Sequence, residues 1–384
     1  MGEAVNWRQF IKSVLIILLA TLLLAWGHYQ FVVTPLDFAN KDFMSLWTGA
    51  KAVLRNLNPY DVTVWEPLRA SYGSSWMPDP RAPFPLWTFI FTAPFALFPI
   101  PWGAALWLSV SELLLAGIVY GFVRRLRLSP IDVGLLILGC AVSIVTLLVL
   151  INGQITIFLL LFLSLFLFFE RQRRPFLAGL ILSFIIIKPN PFIAFVPLIG
   201  LWLVLRKKWA VIAGGAVGAL GLAAISWALQ PGWVFDWMNV REKTSVSTIT
   251  PTIWGLAGDV AGGWWLPVGV LLAIALVAGA GWFIFTHPEL SNEAVLSLAI
   301  PISLLTTPYT WVYEHALLYI PWLWLYVAQP RRRAGQLVWV SLALLIPWIL
   351  FFVAAARDSD SLAFISPALA LAAVLYTWRM ANSS

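Results

Sequence analysis

Charge is what this sequence has least of. Only 11% of its 384 residues are Asp, Glu, Lys or Arg, against 61% apolar ones, and the mean hydropathy is +0.88. A soluble globule carries about a quarter of its residues charged, so ordinary soluble folds are excluded. Cysteine is nearly absent: Cys140, inside an apolar run, excludes an internal disulfide and a cysteine metal site. The three histidines, His28, His287 and His315, form no pair at metal-ligand spacing, and no glycine-rich phosphate loop is present. No cofactor is indicated, and a divalent metal is left open without a pattern that asks for one. No internal repeat is visible. The net charge of +7 does not point to nucleic acid, because Arg and Lys lie in short clusters between apolar runs, as cytoplasmic loops do.

What is present in quantity is apolar sequence, divided into runs of membrane-spanning character. The runs predict an all-α polytopic membrane protein of about twelve transmembrane helices, at residues 11–26, 101–123, 131–150, 155–169, 176–187, 192–205, 209–229, 264–286, 294–307, 316–328, 336–356 and 362–378. Arg8 and Lys12 precede the first run and no small-x-small cleavage site follows it, so it reads as a retained signal anchor. The positive-inside rule then places both termini in the cytoplasm, with fifteen Lys and Arg inside and nine outside. Residues 1–384 read as a single integral-membrane domain. It carries an outer loop at 28–100 with interfacial helices and a second outer loop at 230–263.

The polar stretch 41–61, KDFMSLWTGAKAVLRNLNPYD, is the centre of the first loop. Phe43, Leu46, Trp47, Ala50, Leu54 and Leu57 recur at helical spacing, with Asn40 placed to cap the helix and Asn58-Pro59 to end it. Lys51, Arg55 and Thr48 fall on the other side, so the helix is expected to lie at a membrane surface. Asp42 sits at the edge of the apolar stripe, at the boundary of lipid and water. A second surface helix is expected at 84–98. Four of the predicted spans, 176–187, 192–205, 294–307 and 316–328, are shorter than the roughly 20 residues a crossing needs. All begin or end at a polar break on the outer side. Irregular backbone at that depth needs a wet or protein-filled surrounding, so an outward-opening cavity is expected there.

Each candidate residue has an ordinary reading beside the chemical one. Asp42 is a possible general base or only an acid in a first helical turn; Asp37 and Asp61 suit turns. Lys188, after an unbroken apolar helix, is costly unless it meets an anion or water, or snorkels to the interface. Its functional reading is a counter-ion for a lipid phosphate, with loss of donor use exceeding loss of stability in Lys188→Ala. Glu314 with His315 suits proton handling or sugar binding. Arg241 and Lys243 suit phosphate or plain solvated surface. Glu112, in mid-span, is expected to hydrogen-bond a neighbouring helix. Asn152-Gly153-Gln154 has an ordinary turn reading.

Four stretches in order carry a family resemblance: Asp42-Phe43 through Trp47, Ala50 and Leu54 to Asn58-Pro59-Tyr60-Asp61; Asn152-Gly153-Gln154; Ala178-Gly179-Leu180 through Lys188-Pro189; and Thr307-Pro308-Tyr309-Thr310-Trp311 with Tyr313 to His315. The sequence resembles the GT-C superfamily of integral-membrane glycosyltransferases. Within it the chain is most similar to the bacterial α-mannosyltransferases that use polyprenyl-phosphate mannose, relatives of the mycobacterial phosphatidylinositol mannoside mannosyltransferase. The resemblance implies an outward-facing site in the bacterial plasma membrane, a polyprenyl-phosphate-sugar donor, a lipid or glycan acceptor, and inversion at the anomeric carbon, with Asp42 as base. In that frame Lys188, with Arg241 or Arg81, would stabilise the departing phosphate. Asp37, Trp47, Tyr60, Gln154, Asn190, Trp311, Glu314 and His315 would contact sugar or acceptor. The chain departs from the family pattern in having Asn56-Leu57 for the glycine pair before Pro-Tyr, and Tyr313-Glu314-His315 after the tryptophan motif. Rival readings are a secondary transporter, which usually shows internal repeats and midplane ionisable groups, and a non-catalytic lipid- or glycan-binding protein.

Overall fold

The computed structural model describes residues 7–34, 37–74, 82–126, 128–241, 249–328 and 333–382, and among them the chain is helical with no strand. In chain order the α-helices are α1 (Trp7–His28), α2 (Asp42–Leu54), α3 (Val62–Ser71), α4 (Leu86–Ala96), α5 (Ile100–Val123), α6 (Pro130–Val142), α7 (Ile144–Asn152), α8 (Thr156–Arg171) and α9 (Pro175–Leu182). They continue as α10 (Phe195–Leu205), α11 (Trp209–Leu229), α12 (Trp233–Arg241), α13 (Ile253–Ala261), α14 (Trp265–Thr286), α15 (Asn292–Thr306), α16 (Tyr319–Ala328), α17 (Arg333–Arg357) and α18 (Ile365–Asn382). Among the described residues six stretches are long and apolar enough to cross a membrane: Val14–Val33, Ile100–Leu126, Trp209–Leu229, Ile253–Thr286, Gly335–Arg357 and Ser361–Met380. The pair α6 and α7, bent by 57°, makes a seventh if counted as one. The protein is an integral membrane protein. The other expected spans fall on shorter helices: α8 has 16 residues, α10 11, α15 15 and α16 10.

The chain forms two compact units. The first comprises Met1–Leu114, Leu150–Gln154 and Leu229–Val240. At its core α2 packs on α4, where Gly49 has no side chain and the Phe89 ring fills the space, so close that a Cβ there would lie 2.2 Å from it. Residues 43 to 50 of α2 are all buried, Thr48 among them. One part of the expected stripe is corrected: the pattern assigned Thr48 to an exposed side, and it is fully buried. Asn40 is not the N-cap of α2, which is Lys41 with no side-chain cap; the Asn40 Nδ2 donates instead to Asp37 Oδ2 at 2.6 Å. The helix ends before Asn58-Pro59. Asn56 takes a left-handed φ of 55°, its N–H donates to the Val53 carbonyl, and the Leu57 N–H reaches back to the Ala52 carbonyl. That paired closure needs φ > 0 at one residue, and asparagine tolerates it where the resembled family has glycine.

The second unit comprises Leu115–Val149, Ile155–Ala228 and Arg241–Ser384. Helices α9 and α11 touch backbone to backbone: a Cβ on Gly179 would sit 1.9 Å from the Val211 carbonyl oxygen, and one on Gly214 would sit 2.0 Å from that of Phe176. Gly214 and Gly218 are four apart, the small-residue spacing that lets apolar helices pack closely without a hydrophobic driving force. The α6–α7 bend lies at Ser143, whose backbone is extended. The bend leaves the Cys140 carbonyl to other donors, and it accepts from the Tyr319 hydroxyl at 3.0 Å, which is also 2.8 Å from Thr146 Oγ1. Irregular backbone between α9 and α10 is stitched to α15 in the same way. Ser303 Oγ accepts from the N–H groups of Ala194 and Phe195, and Thr307 donates to the Asn190 carbonyl at 2.7 Å. Such groups are costly to bury unpaired.

Polar contacts sort the loops of this unit into two sets. Lys208 pairs with Glu170 and reaches Asn292 Oδ1 at 2.9 Å, and Arg171 pairs with Glu293 at 2.9 Å, which joins the three loops at 170–174, 206–208 and 287–293. Lys188 meets Glu314, and Asn190 meets Thr307, joining breaks one helix further along. The breaks at 170–174 and 206–208 thus share one cluster, and the break between them at 188–190 belongs to the other.

Candidate active site

In the first unit, Asp42 opens α2, where an anion is favoured by the helix dipole. Gln154 donates from Nε2 to Asp42 Oδ2 at 2.5 Å, and Gln154 itself is 2% exposed. Gly153 makes the approach possible. It has φ +65°, which disfavours any side chain, and a Cβ built on it would lie 2.4 Å from Phe43 Cβ. The turn Asn152-Gly153-Gln154 is thus pressed against the first turn of α2, and the amide beyond the glycine fixes one oxygen of the carboxylate. An acid so oriented and half-buried can take a proton from a hydroxyl placed against it.

Three other expected residues of this unit have different surroundings. Asp37 is exposed, at φ 49°, with its carboxylate held by Asn40 in a local turn. Trp47 is 1% exposed; its indole N–H donates to the Phe98 carbonyl at 3.1 Å and the Tyr72 ring lies 4.6 Å away. Tyr60 is 3% exposed and its hydroxyl donates to the Phe84 carbonyl at 2.9 Å. Burial, and behind it the Asp236 carboxylate, push the Tyr60 phenol above its ordinary range. Trp47 and Tyr60 are core residues, and their covered rings offer no face for a sugar. Glu112, by contrast, makes its expected interhelical bond: His28 Nε2 at the end of α1 lies 3.1 Å from Oε1, and His28 Nδ1 lies 3.0 Å from Ser109 Oγ.

In the second unit, Lys188 follows a 3-10 turn, Ser183–Ile187, and is 4% exposed. It does not snorkel. Its Nζ lies 2.7 Å from Glu314 Oε1 and 4.8 Å from the Tyr313 ring centroid. Glu314, 0% exposed, is itself fixed: Oε2 accepts from Thr310 Oγ1 and from the Trp311 N–H, each at 2.5 Å. This buried pair joins two polar breaks that are 126 positions apart in sequence. Trp311 remains half-buried, its indole N–H donating to the Tyr309 hydroxyl at 2.9 Å, and Asn190, whose carbonyl accepts from Thr307, is half-buried too. His315 is 2% exposed, and neither ring nitrogen has a hydrogen-bond partner among the described residues. Burial pushes its pKa down to about 3, so the ring is neutral. His315 is therefore turned into the interior, against a cavity of about 10 Å³ that Ser366 and Tyr319 also line.

Arg81 lies outside the described residues, as does Lys243, and Arg241 is the last residue of α12. Among the described residues no group of three or more His, Cys, Asp and Glu side chains is arranged to hold a metal ion. Gly153, Thr310 and Tyr313 stand in the stretches that carry the resemblance, but no role was assigned to them, and their contacts with Phe43, Glu314 and Lys188 had no sign in the sequence.

Comparison with curated proteins finds no match, and comparison with solved structures finds none either. The family model of glycosyltransferase family 87 matches residues 83–308, a segment that contains Gln154, Lys188, Asn190 and Arg241. It covers more than half of the 384 residues. With a helical membrane architecture and a carboxylate oriented by a buried amide already in view, that match makes the conclusion direct: this chain belongs to glycosyltransferase family 87.

Proposed function

We propose that the protein is an inverting glycosyltransferase that moves a sugar, expected to be mannose, from a polyprenyl-phosphate donor to a lipid or glycan acceptor on the outer face of the membrane. The observation that carries this reading is the 2.5 Å contact of Gln154 with Asp42 behind a glycine whose position leaves no room for a Cβ without a shift. Inversion needs the acceptor hydroxyl to attack the anomeric carbon opposite the phosphate. The bond from that carbon to acceptor oxygen forms as the bond to phosphate oxygen breaks, and the hydroxyl proton passes to Asp42. Gln154 keeps the carboxylate aimed. The polyprenyl phosphate leaves as an anion, for which Lys188, Arg241 and Arg81 are the proposed cations. Trp311 and Asn190, both half-buried, are the proposed sugar contacts. Both termini are proposed to be cytoplasmic, which puts the Asp42 loop outside.

The test supplies purified protein in lipid nanodiscs with labelled polyprenyl-phosphate mannose and a membrane lipid extract. Wild-type protein is expected to form a labelled glycolipid, and Asp42→Asn to lower turnover by about 10²–10⁴-fold, the range of a lost general base. Equal turnover by the two proteins would remove Asp42 from the chemistry.

A further inference from the structure

Apart from Asp42, the first unit carries another carboxylate held by side-chain amides. Asp236 lies on α12, and its Oδ2 accepts from Asn58 Nδ2 at 2.9 Å and from Gln230 Nε2 at 3.4 Å. Asn58 is fixed in turn, because its Oδ1 accepts from the Tyr60 N–H at 2.9 Å. The other Asp236 oxygen, Oδ1, has no hydrogen-bond partner among the described residues. Each amide nitrogen that binds Oδ2 carries a second N–H, since a primary amide has two. An open acceptor and two donors therefore stand within one hydrogen-bonded cluster. Asp236, Asn58 and Gln230 are all half-buried, so the cluster is within reach of a ligand yet partly desolvated.

The same helix carries aromatic rings. Trp233 and Trp237 lie on α12 three residues before and one residue after Asp236, and their ring centroids are 6.2 Å apart. Trp87 of α4 packs on Trp233 at 4.8 Å, edge to face. Trp233 is buried and backs the other two, which stay half-buried.

We infer that this cluster is a subsite for a neutral carbohydrate. A hydroxyl both donates and accepts, so a pyranoside hydroxyl satisfies Asp236 Oδ1 and an amide N–H together, while the C–H face of the ring lies on tryptophan. An anion is opposed by Asp236, and a cation would meet the carboxylate but leave the second N–H of each amide without an acceptor, so the donor and acceptor set as a whole is matched by a polar neutral ligand. The subsite rests on the glycosyltransferase reading only for its role: a phosphate-bearing donor is disfavoured beside Asp236, so the sugar bound there belongs to the acceptor.

The experiment uses the full chain in nanodiscs free of sugar detergents and reads saturation-transfer NMR from methyl α-mannoside, methyl α-glucoside and tetramethylammonium, without any donor. Wild-type protein is expected to saturate the glycosides and not the ammonium ion. Asp236→Asn and Gln230→Ala, at unchanged melting temperature, are expected to lose most of the glycoside signal. In turnover, Asp236→Asn is expected to raise the acceptor KM about tenfold, the loss of one hydrogen bond to a charged group, with the donor KM unmoved. No glycoside signal from wild-type protein, equal signal from both variants, or binding of tetramethylammonium in place of glycoside would overturn the subsite. An Asp236-dependent glycoside signal in a protein that transfers no sugar would instead uphold the subsite and overturn the transferase reading.

Discussion

Replacing Gly153 by alanine tests whether the turn before Gln154 sets the geometry of Asp42. The backbone there has φ +65°, and holding an L-residue with a Cβ in that region costs about 1–2 kcal/mol. The new methyl would also lie 2.4 Å from Phe43 Cβ, 3.2 Å from Cγ and 3.4 Å from Cα. Favourable carbon contacts lie at roughly 3.5–4.0 Å, so the turn or the start of α2 must give by about 1 Å. Overpacking of this kind costs about 1–3 kcal/mol more. The two contributions act on the same few residues, and relief of either carries Gln154 away from the carboxylate. A displacement of about 1 Å at a reacting group lowers turnover by on the order of 10²-fold. The assay compares melting temperature, kcat and donor KM of Gly153→Ala with those of Gln154→Leu, which removes the amide and leaves the turn. Both variants are expected to lose kcat, but only Gly153→Ala should also melt lower. If Gly153→Ala keeps wild-type turnover and melting temperature, the contact with Phe43 does not position the site.

Gln154→Glu places a second carboxylate against Asp42, and like charges that close raise a carboxyl pKa. The acid limb of kcat is then expected to move to higher pH, with activity low near neutrality and recovering as the pH rises; an unmoved limb would separate Gln154 from the base. Lys188→Ala leaves Glu314 buried without its cation, at a cost of about 3–5 kcal/mol, so its melting temperature should fall well before donor use can be judged. The double variant Lys188→Met with Glu314→Gln should recover much of that loss, and failure to do so would mean that the pair is not what holds the two breaks together. Gly214→Ala pushes a methyl onto a backbone oxygen at 2.0 Å, where no side chain can swing aside, and is expected to destabilise the second unit strongly. Gly221→Ala, with open space around it, is the matched control that should melt like wild type.

Where the helices lie was largely written in the composition of the chain. The run at 209–229 coincides with α11, and that at 336–356 falls within α17, because clusters such as Arg206-Lys207-Lys208 bound them. The bend at Ser143 left no such mark. It interrupts an apolar run without proline, and what sustains it is a tyrosine far along the chain, Tyr319. The same limit applied to the candidate site. Asp42 could be placed at the head of a helix, but periodicity alone put Thr48 toward solvent. The structure buries it, and a helix's own period does not reveal what packs on it from elsewhere. That Lys188 pairs with Glu314 was not legible either, because Glu314 belongs to another break. A contact between distant segments has no signature in either one taken alone.

Ser303 shows how hydropathy misleads in such a chain. Scored along α15, it is a blemish in a greasy rod. Its hydroxyl nonetheless serves as the missing first turn of a different helix, catching two amides that α10 would otherwise strand in oil. A mutational scan that sorted positions by the helix they sit in would file this serine under the wrong one. The damage from Ser303→Leu, a change that looks like an improvement to its own segment, would surface as unravelling next door.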